Sequence, residues 1–233
     1  MLIACWSPKG GTGTTVVSCG LALVLSRSGP PGRLTPPSHG GRGVLVADLS
    51  GDVPAVLGVP LAPAPGLADW LAAGPEVPAA ALARLEVDAG PGLRLLTWGE
   101  APPTAATAAG SSERGEVLAA ALAADGRPVV VDCGSAASGA ALAVAAAADL
   151  SLLVLRPCYL ALRRALAAPI RPAGVVLIRE PGRALSRSDV EDVLGVPVRA
   201  EIAYEEAIAR AVDAGLLGTR IPRTLERALR AAA

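Results

Sequence analysis

Short runs of apolar residues recur along the chain, and within each run the apolar positions are continuous rather than alternating with polar ones. The runs are rich in Leu and in β-branched residues, which is typical of strands covered on both faces of a parallel sheet. The predicted strands cover residues 2–6, 44–47, 93–97, 128–131, 150–155, 175–178 and 197–202.

Helical patterns alternate with these strands. The predicted helices cover residues 14–28, 66–73, 79–85, 113–124, 139–148, 159–167, 188–194, 205–214 and 223–232. Ser188 and Glu191 have the spacing of a capping box, which predicts the start of the helix over 188–194. The segment 150–164 is interpreted as a buried strand that turns into a helix, with Cys158 and Tyr159 expected to be packing residues.

The alternation of strands and helices predicts an α/β fold with a doubly wound, mainly parallel sheet flanked by helices. The pattern continues along the whole chain, so residues 1–233 are expected to form a single domain. Two connections, 29–43 with the only histidine, His39, and 99–112, are expected to be irregular. Ligands of such sheets bind at the carboxyl ends of the strands.

Composition narrows the possible functions. The 21 Lys and Arg residues balance the 21 Asp and Glu residues, so the net charge requires neither a nucleic acid nor an anionic membrane as partner. No targeting segment and no run of 18 apolar residues is found, so we expect a cytoplasmic protein. The four cysteines are widely spaced, which favours reduced buried thiols over disulfides, zinc or an iron–sulfur cluster.

The only lysine of the chain, Lys9, lies in a glycine-rich loop between the first strand and the first helix, with the sequence Ser-Pro-Lys-Gly-Gly-Thr-Gly-Thr-Thr over residues 7–15. Such a loop can direct several backbone N–H groups at one anion, and the following helix N-terminus favours negative charge. Glycines at 10, 11 and 13 permit the backbone angles that this requires. The loop is therefore a candidate phosphate site; the alternative is an ordinary glycine-rich turn.

The sequence K-G-G-x-G-T-T from Lys9 to Thr15 resembles the deviant Walker A box, K-G-G-x-G-K-[ST], of the ParA/MinD family of P-loop ATPases. The resemblance implies ATP and Mg²⁺ as cofactors, bound by Lys9 and by the loop residues Gly10, Gly11, Thr12, Gly13, Thr14 and Thr15. Lys9 matches the signature lysine, which in the family reaches the nucleotide of the partner subunit in a homodimer. Thr14 stands where the family has its second lysine.

The resemblance also assigns roles to residues at the ends of later strands. Asp48 and Asp132 match the carboxylates that organise Mg²⁺ together with Thr15, although each could instead be a helix cap or turn residue. Ser50 replaces the aspartate that positions the attacking water, and Asp52 is the candidate substitute. Where the family usually places an adenine-binding Asn, this chain has Arg179, which becomes the candidate contact to the base.

These departures imply a weak enzyme. Without the second lysine and the water-positioning carboxylate, we expect ATP-dependent dimerisation with slow or absent hydrolysis, in a nucleotide-switched positioning or partitioning ATPase. The alternative is a catalytically inactive pseudo-ATPase scaffold for pilus, secretion or septum-site assembly. A metal-cluster carrier of the same superfamily lacks support, because no cysteine pair has ligand spacing.

Within the family, the pattern over 189–215 is similar to the bacterial MinD-like and CpaE/TadZ-like branches, which implies self-assembly and a protein partner that the sequence does not name. A location at the membrane or nucleoid would require a docking surface. The last helix has a narrow apolar face of Leu225 and Leu229, so packing on the domain is favoured over membrane binding. Arg163, Arg164 and the C-terminal arginines could bind DNA or form a solvated surface.

Overall fold

The computed structural model describes residues 1–27, 43–60, 62–74, 76–100, 112–135 and 139–232. The two connections predicted to be irregular, 29–43 and 99–112, lie almost entirely outside these residues, and His39 lies outside them too.

Within these residues, eight strands form one sheet in the order β3-β4-β2-β5-β1-β6-β7-β8. All pairs in it are parallel except β3 with β4, so the predicted mainly parallel sheet is confirmed. The strands are β1 (Leu2–Trp6), β2 (Val44–Asp48), β3 (Glu86–Asp88), β4 (Leu93–Leu96), β5 (Val129–Asp132), β6 (Leu150–Leu155), β7 (Gly174–Arg179) and β8 (Val198–Ala203).

Helices cover both faces of this sheet. They are α1 (Thr14–Arg27), α2 (Val53–Leu57), α3 (Leu67–Ala72), the 3₁₀ helix η1 (Ala79–Leu85), α4 (Ser112–Ala123), α5 (Gly139–Ala147), α6 (Tyr159–Leu166), α7 (Arg187–Leu194), α8 (Glu206–Asp213) and α9 (Arg223–Arg230). Alternate residues of β1 face opposite cores: Leu2, Ala4 and Trp6 pack on one side, and Ile3 and Cys5 on the other. The doubly wound arrangement is thus confirmed.

Two short elements are absent from the sequence prediction. Strand β3 has only three residues, two of them acidic, and no apolar run; ion pairs of Glu86 with Arg127 (2.7 Å) and Arg94 (3.5 Å) help to hold it at the edge. Helix α2 has five residues, contains Pro54 in its first turn, and ends at Gly58 in the left-handed conformation. Neither element is long enough to show a hydrophobic period.

The predicted capping box of Ser188 and Glu191 is wrong. The helix begins at Arg187, one residue earlier than predicted, and its N-cap residue is Ser186. Ser186 and Asp189 form the capping box: the Asp189 N–H donates to the Ser186 hydroxyl (3.2 Å), and the Ser186 N–H donates to the Asp189 carboxylate (2.7 Å). Glu191 instead accepts a hydrogen bond from the Val198 N–H at 2.8 Å, which ties α7 to β8.

The C-terminal helix α9 packs on the domain, as its narrow apolar face predicts. Leu225 and Leu229 are fully buried, and both lie against Gly20 of α1. Among the described residues, no helix is long and apolar enough to cross a bilayer. The expectation for Tyr159 is wrong, because the side chain at the start of α6 is 77% exposed, while Cys158 is half-buried.

Candidate functional site

The glycine-rich loop joins the central strand β1 to the helix α1, at the carboxyl edge of the sheet. Its first residue, Ser7, is anchored to the loop after β5: the Ser7 N–H donates to the Gly134 carbonyl at 2.9 Å. The Ser7 hydroxyl donates to the Lys9 carbonyl at 2.8 Å. Gly11 and Gly13 have φ of +76° and +92°, so the loop needs glycine at both positions.

The loop borders an open cavity of about 620 Å³, here called the phosphate cavity. Besides the loop, its walls come from the segment after β2, the segment after β5 and the end of α8: Ser50, Asp52, Gly134, Ser135, Val212 and Asp213. Backbone N–H groups and the N-terminus of α1 therefore meet at one concave surface, which is the arrangement that binds an anion.

Lys9 lies at the edge of this surface rather than inside it. Its side chain is half-buried and is not among the residues that line the phosphate cavity. Arg183, which is hydrogen-bonded to Glu180, chiefly lowers the pKa of that carboxyl, and the charges of Arg156 and Lys9 lower it further. Lys9 is thus close enough to Glu180 for their charges to interact.

The two threonines that open α1 have different surroundings. Thr14 is only 6% exposed, and its hydroxyl lies 3.0 Å from the Thr12 hydroxyl. Thr15 is half-buried, and a hydrogen bond from its hydroxyl helps to stabilise the ionised form of Asp132. The structure therefore brings Thr15 and Asp132 together, as the resemblance implies for a Mg²⁺ site.

Asp48 and Asp132 end neighbouring strands, and they pair in register between β2 and β5. Both are 0% exposed. Asp48 orders the next turn, because it accepts hydrogen bonds from the N–H groups of Ser50 (2.9 Å), Gly51 (2.7 Å) and Val53 (3.1 Å). The turn role that the sequence leaves open as an alternative for Asp48 is thus present in the structure.

Ser50 bridges the two carboxylates. Its hydroxyl lies 2.6 Å from Asp132 Oδ2 and 3.0 Å from Asp48 Oδ1. A hydroxyl has one hydrogen, so it can donate to only one of them, and the shorter contact marks Asp132 as the acceptor. The contact with Asp48 is then favourable when the Asp48 carboxyl itself carries a proton.

The pKa values of the two carboxyls agree with this sharing of a proton. Burial raises the pKa of Asp48 to about 6, and the negative charge of Asp132 adds to the effect. Burial also raises the pKa of Asp132, against the hydrogen bonds from Ser50 and Thr15. Two buried carboxyls beside each other cannot both ionise without a compensating positive charge.

A Mg²⁺ ion fits this chemistry. Among the described residues no arginine or lysine forms an ion pair with Asp48 or Asp132, and a buried charge requires a partner. The donors at hand are carboxylate and hydroxyl oxygens, the ligands that Mg²⁺ prefers. Asp132 and Thr15 could hold the ion beside the loop, with Asp48 keeping the adjacent turn in place.

Of the two remaining candidate residues, one lies at the phosphate cavity and the other does not. Asp52 lines the phosphate cavity; it is the N-cap residue of α2, but its side chain makes no capping hydrogen bond. Arg179 lies elsewhere: its guanidinium is 3.4 Å from Glu201, and it lines a separate cavity of about 400 Å³ with Arg183 and Arg187. The structure therefore does not bring Arg179 to the loop.

The sequence prediction missed three charged residues near the loop: Arg156, which follows β6, Glu205, which is the N-cap residue of α8, and Asp213, which is the last residue of α8. They line a second cavity of about 270 Å³ that also borders on Thr12 and Gly13. None of the three belongs to a recognisable sequence motif. Their place beside the loop becomes evident only from the order of the strands in the sheet. We call this second cavity the side cavity.

The four cysteines are free thiols. Burial raises the pKa of Cys5 to about 12 and that of Cys19 and Cys133 well above the ordinary value, so these thiols are not nucleophiles. Among the described residues, no cluster of three or more His, Cys, Asp or Glu side chains could hold a metal ion.

Solved structures show the same arrangement over nearly the whole chain. The cell division ATPase MinD of Pyrococcus furiosus is 22% identical, with a TM-score of 0.76 over 99% of this chain and 95% of that chain. The septum site-determining protein MinD of Pyrococcus horikoshii OT3, complexed with Mg-ADP, is 21% identical, with a TM-score of 0.75 over 99% and 93%. This chain has the fold of the ParA/MinD ATPases.

A ParA family ATPase from Chlorobium tepidum TLS extends the likeness, at 21% identity and a TM-score of 0.74 over 98% of this chain and 96% of that chain. No protein-family model matches the sequence, and no curated protein matches it. The resemblance carried by the loop is therefore confirmed at the level of the ParA/MinD fold.

Proposed function

We propose that this protein is a nucleotide-switched positioning or partitioning ATPase of the ParA/MinD type, which binds a nucleoside triphosphate with Mg²⁺, dimerises in that state, and hydrolyses it slowly or not at all. The observation that carries the proposal is the loop of residues 7–15 at the carboxyl end of the central strand, with Thr15 next to the buried Asp132. ATP is the nucleotide that the resemblance implies.

The phosphates would lie in the phosphate cavity, where backbone N–H groups of Gly10 to Thr15 and the N-terminus of α1 supply partial positive charge. Mg²⁺, when bound, would neutralise phosphate charge next to Asp132 and Thr15. The Mg-ADP complex of the P. horikoshii MinD supports this assignment, because the two folds superpose over 99% of this chain.

Lys9 would couple the nucleotide to assembly. Its side chain is half-buried at the edge of the loop and does not line its own phosphate cavity. A lysine outside its own phosphate cavity is available to contact a nucleotide bound to a second copy. This position supports the role of signature lysine in a homodimer.

Slow turnover follows from two features of the loop and the carboxylate pair. Thr14 has a neutral side chain where the family has a lysine, so it supplies no positive charge to the phosphates, and its buried hydroxyl is bonded to Thr12. Ser50 contacts both carboxylates in place of a base that could orient water. Losing one stabilising contact of the transition state commonly costs ~10²–10³ in rate.

A radiolabelled turnover and binding assay tests the proposal. We expect Mg²⁺-dependent nucleotide binding that is weakened in Lys9→Ala and abolished in Asp132→Ala, with slow or absent turnover in the wild type. Asp52→Ala should remove the remaining turnover, since Asp52 lines the cavity beside the loop and its side chain makes no capping hydrogen bond. Fast turnover that survives Asp52→Ala would contradict the slow-enzyme proposal.

The second candidate function is a pseudo-ATPase scaffold. The Asp48–Ser50–Asp132 contacts favour it, because they satisfy the carboxylates within the protein. A scaffold would assemble to the same size with and without nucleotide, whereas a switch would assemble only with it. Light scattering under both conditions separates the two.

A positioning protein also needs a surface to act on. An unidentified protein partner, the nucleoid or a membrane surface could serve. The burial of Leu225 and Leu229 removes the apolar face of α9 from membrane binding. Co-sedimentation with DNA that falls steeply with added salt would support docking through surface arginines.

A further inference from the structure

The side cavity adjoins the phosphate cavity, and the two share Thr12, Gly13 and Val16 of the loop and α1. Its volume of about 270 Å³ is just below the usual range for whole-ligand pockets, which suits one part of a ligand, and its walls include the apolar side chains Ile178 and Ile202. A flat ring attached to a phosphate chain in the first cavity would fit it. The base of the nucleotide is the part of that ligand with this shape.

The hydrogen-bonding groups around the side cavity are unusual for an adenine site. Adenine is commonly paired by a side-chain amide, which donates to N7 and accepts from the N6 amino group. This chain contains neither asparagine nor glutamine at any position. The charged groups that line the cavity are the guanidinium of Arg156 and the carboxylates of Glu205 and Asp213.

The Arg156 guanidinium is oriented by Glu180 and keeps further N–H donors for a ligand. Its Nη1 donates to Glu180 Oε1 at 2.7 Å, and Arg183 holds the other oxygen of Glu180. The Arg156 Nε is buried and has no hydrogen-bond acceptor among the described residues. That atom has almost no accessible surface, but the Arg156 side chain as a whole is 30% exposed and lines the side cavity, so its other N–H groups are the ones that can donate to a ligand.

Guanine matches these groups better than adenine. A guanidinium pairs with two adjacent acceptors, and guanine presents O6 and N7 side by side, whereas adenine presents one acceptor beside the N6 donor. A carboxylate accepts from the adjacent N–H groups at N1 and N2 of guanine, whereas N1 of adenine is itself an acceptor. Glu205 is half-buried, with Oε2 bonded to the Thr224 hydroxyl at 2.9 Å, which fixes its orientation.

We propose that the side cavity selects guanine over adenine nucleotides, with Arg156 as the residue that determines the preference and Glu205 as its acceptor counterpart. The inference rests on the proposed function, and it replaces ATP, the nucleotide implied by the resemblance, with GTP. Nucleotides with either base would place their phosphates on the same loop.

Isothermal titration calorimetry of the nucleotide-free protein with MgGDP and with MgADP tests the proposal, since diphosphates avoid turnover. We expect GDP to bind at least tenfold more tightly than ADP. Arg156→Ala should weaken GDP binding by about five- to 160-fold, the range for loss of a bidentate base contact, and should change ADP binding less than threefold. Arg156→Lys, which keeps the charge but loses the two-pronged geometry, should also lose the preference.

Arg183→Ala is the matched control, because it too removes a partner of Glu180 but does not line the side cavity. It should keep the preference for GDP, and thermal melts of all variants report whether they fold. Tighter binding of ADP, equal binding of both, or an equal loss of both in Arg156→Ala would overturn the inference while leaving the proposed function standing. Binding of neither diphosphate, and of neither non-hydrolysable triphosphate analogue with Mg²⁺, would overturn the proposed function itself.

Discussion

At the scale of single residues, the loop sequence decides how much chemistry the site can do. The Thr14 hydroxyl is hydrogen-bonded to the Thr12 hydroxyl, and the neutral Thr14 side chain brings no positive charge to the phosphates. Lys9 is then the only lysine of the chain and the only cationic side chain of the loop. The site can bind an anion through backbone groups, but it lacks the charge that stabilises the transition state of phosphoryl transfer.

Restoring that charge should restore turnover. We expect Thr14→Lys to raise the rate of triphosphate hydrolysis by ~10²–10³-fold, since an added cation stabilises charge that develops in the transition state. Radiolabelled ATP and GTP, assayed separately, provide the measurement. Thr14→Val, which has the same shape without the hydroxyl, is the control and should leave the rate unchanged. An unchanged rate in Thr14→Lys, with nucleotide still bound, would show that Thr14 does not limit hydrolysis.

The buried carboxyl pair predicts a dependence of stability on pH. The pKa of Asp48 in the folded protein is about 6, above its ordinary value of 3.8, so the folded state binds the proton more tightly than the unfolded state. The resulting stabilisation is complete below about pH 4 and is lost as the pH rises through 6.

Comparison with Asp48→Asn isolates this effect from other titrating groups. Without Mg²⁺, the difference in free energy of unfolding should shift in favour of the wild type by about 1–3 kcal/mol as the pH falls from 7 to 4.5. Urea denaturation across that range measures it. A difference that does not vary with pH would mean that Asp48 is ionised throughout.

At the scale of elements, α2 connects the carboxylate segment to the end of α8. Its N-cap residue Asp52 lines the phosphate cavity, and its C-cap residue Gly58 lies against the Gly215 carbonyl. Gly58 has φ of +73°, and a Cβ there would collide with that carbonyl. The close approach of two backbones thus fixes α2 beside the site.

Two glycines with nearly the same backbone angle test this packing. Gly182 has φ of +76° but open space around it, so Gly182→Ala should cost about 1–2 kcal/mol from backbone strain alone. Gly58→Ala adds a backbone collision to the same strain and should destabilise considerably more. Equal losses in urea denaturation would show that α2 can move away from Gly215.

The C-terminal helix makes a similar comparison possible. Leu229→Ala removes a fully buried side chain that packs on α1, and should cost about 2–5 kcal/mol. Arg210→Ala, which removes an exposed ion pair with Glu206, should cost less than about 0.5 kcal/mol. If Leu229→Ala unfolded like the wild type but lost binding to anionic vesicles, α9 would be a membrane helix after all.

Much of the element structure could be predicted because each long strand has its own apolar run. The strand over Leu150–Leu155 is an example, because its run of mostly apolar residues predicts a buried strand without information from the rest of the chain. Glu86–Asp88 could not be predicted, because its pairing depends on Arg127 and Arg94 from distant segments. The helix cap at Ser186 was missed by two residues, since Ser186 and Ser188 both have an acidic residue three positions later.

At the scale of the whole molecule, the order of the strands assembles the site. Placing β1 between β5 and β6 puts the loop next to Asp132 on one side and Arg156 on the other. The family resemblance predicted Asp48 and Asp132, which end recognisable strands, and Thr15, which follows the glycine-rich loop at the start of α1. Arg156 and Glu205 could not be found in this way, because only the packing of β6, β8 and α8 brings them to one cavity.

The central claim is that nucleotide on the loop drives assembly through Lys9. The most direct test is the molar mass from size-exclusion chromatography with light scattering, measured without nucleotide and with Mg²⁺ and non-hydrolysable ATP or GTP analogues. We predict that the mass doubles with at least one analogue in the wild type and stays that of a monomer in Lys9→Ala. A mass that is the same with and without nucleotide, or doubling that persists in Lys9→Ala, would contradict the account.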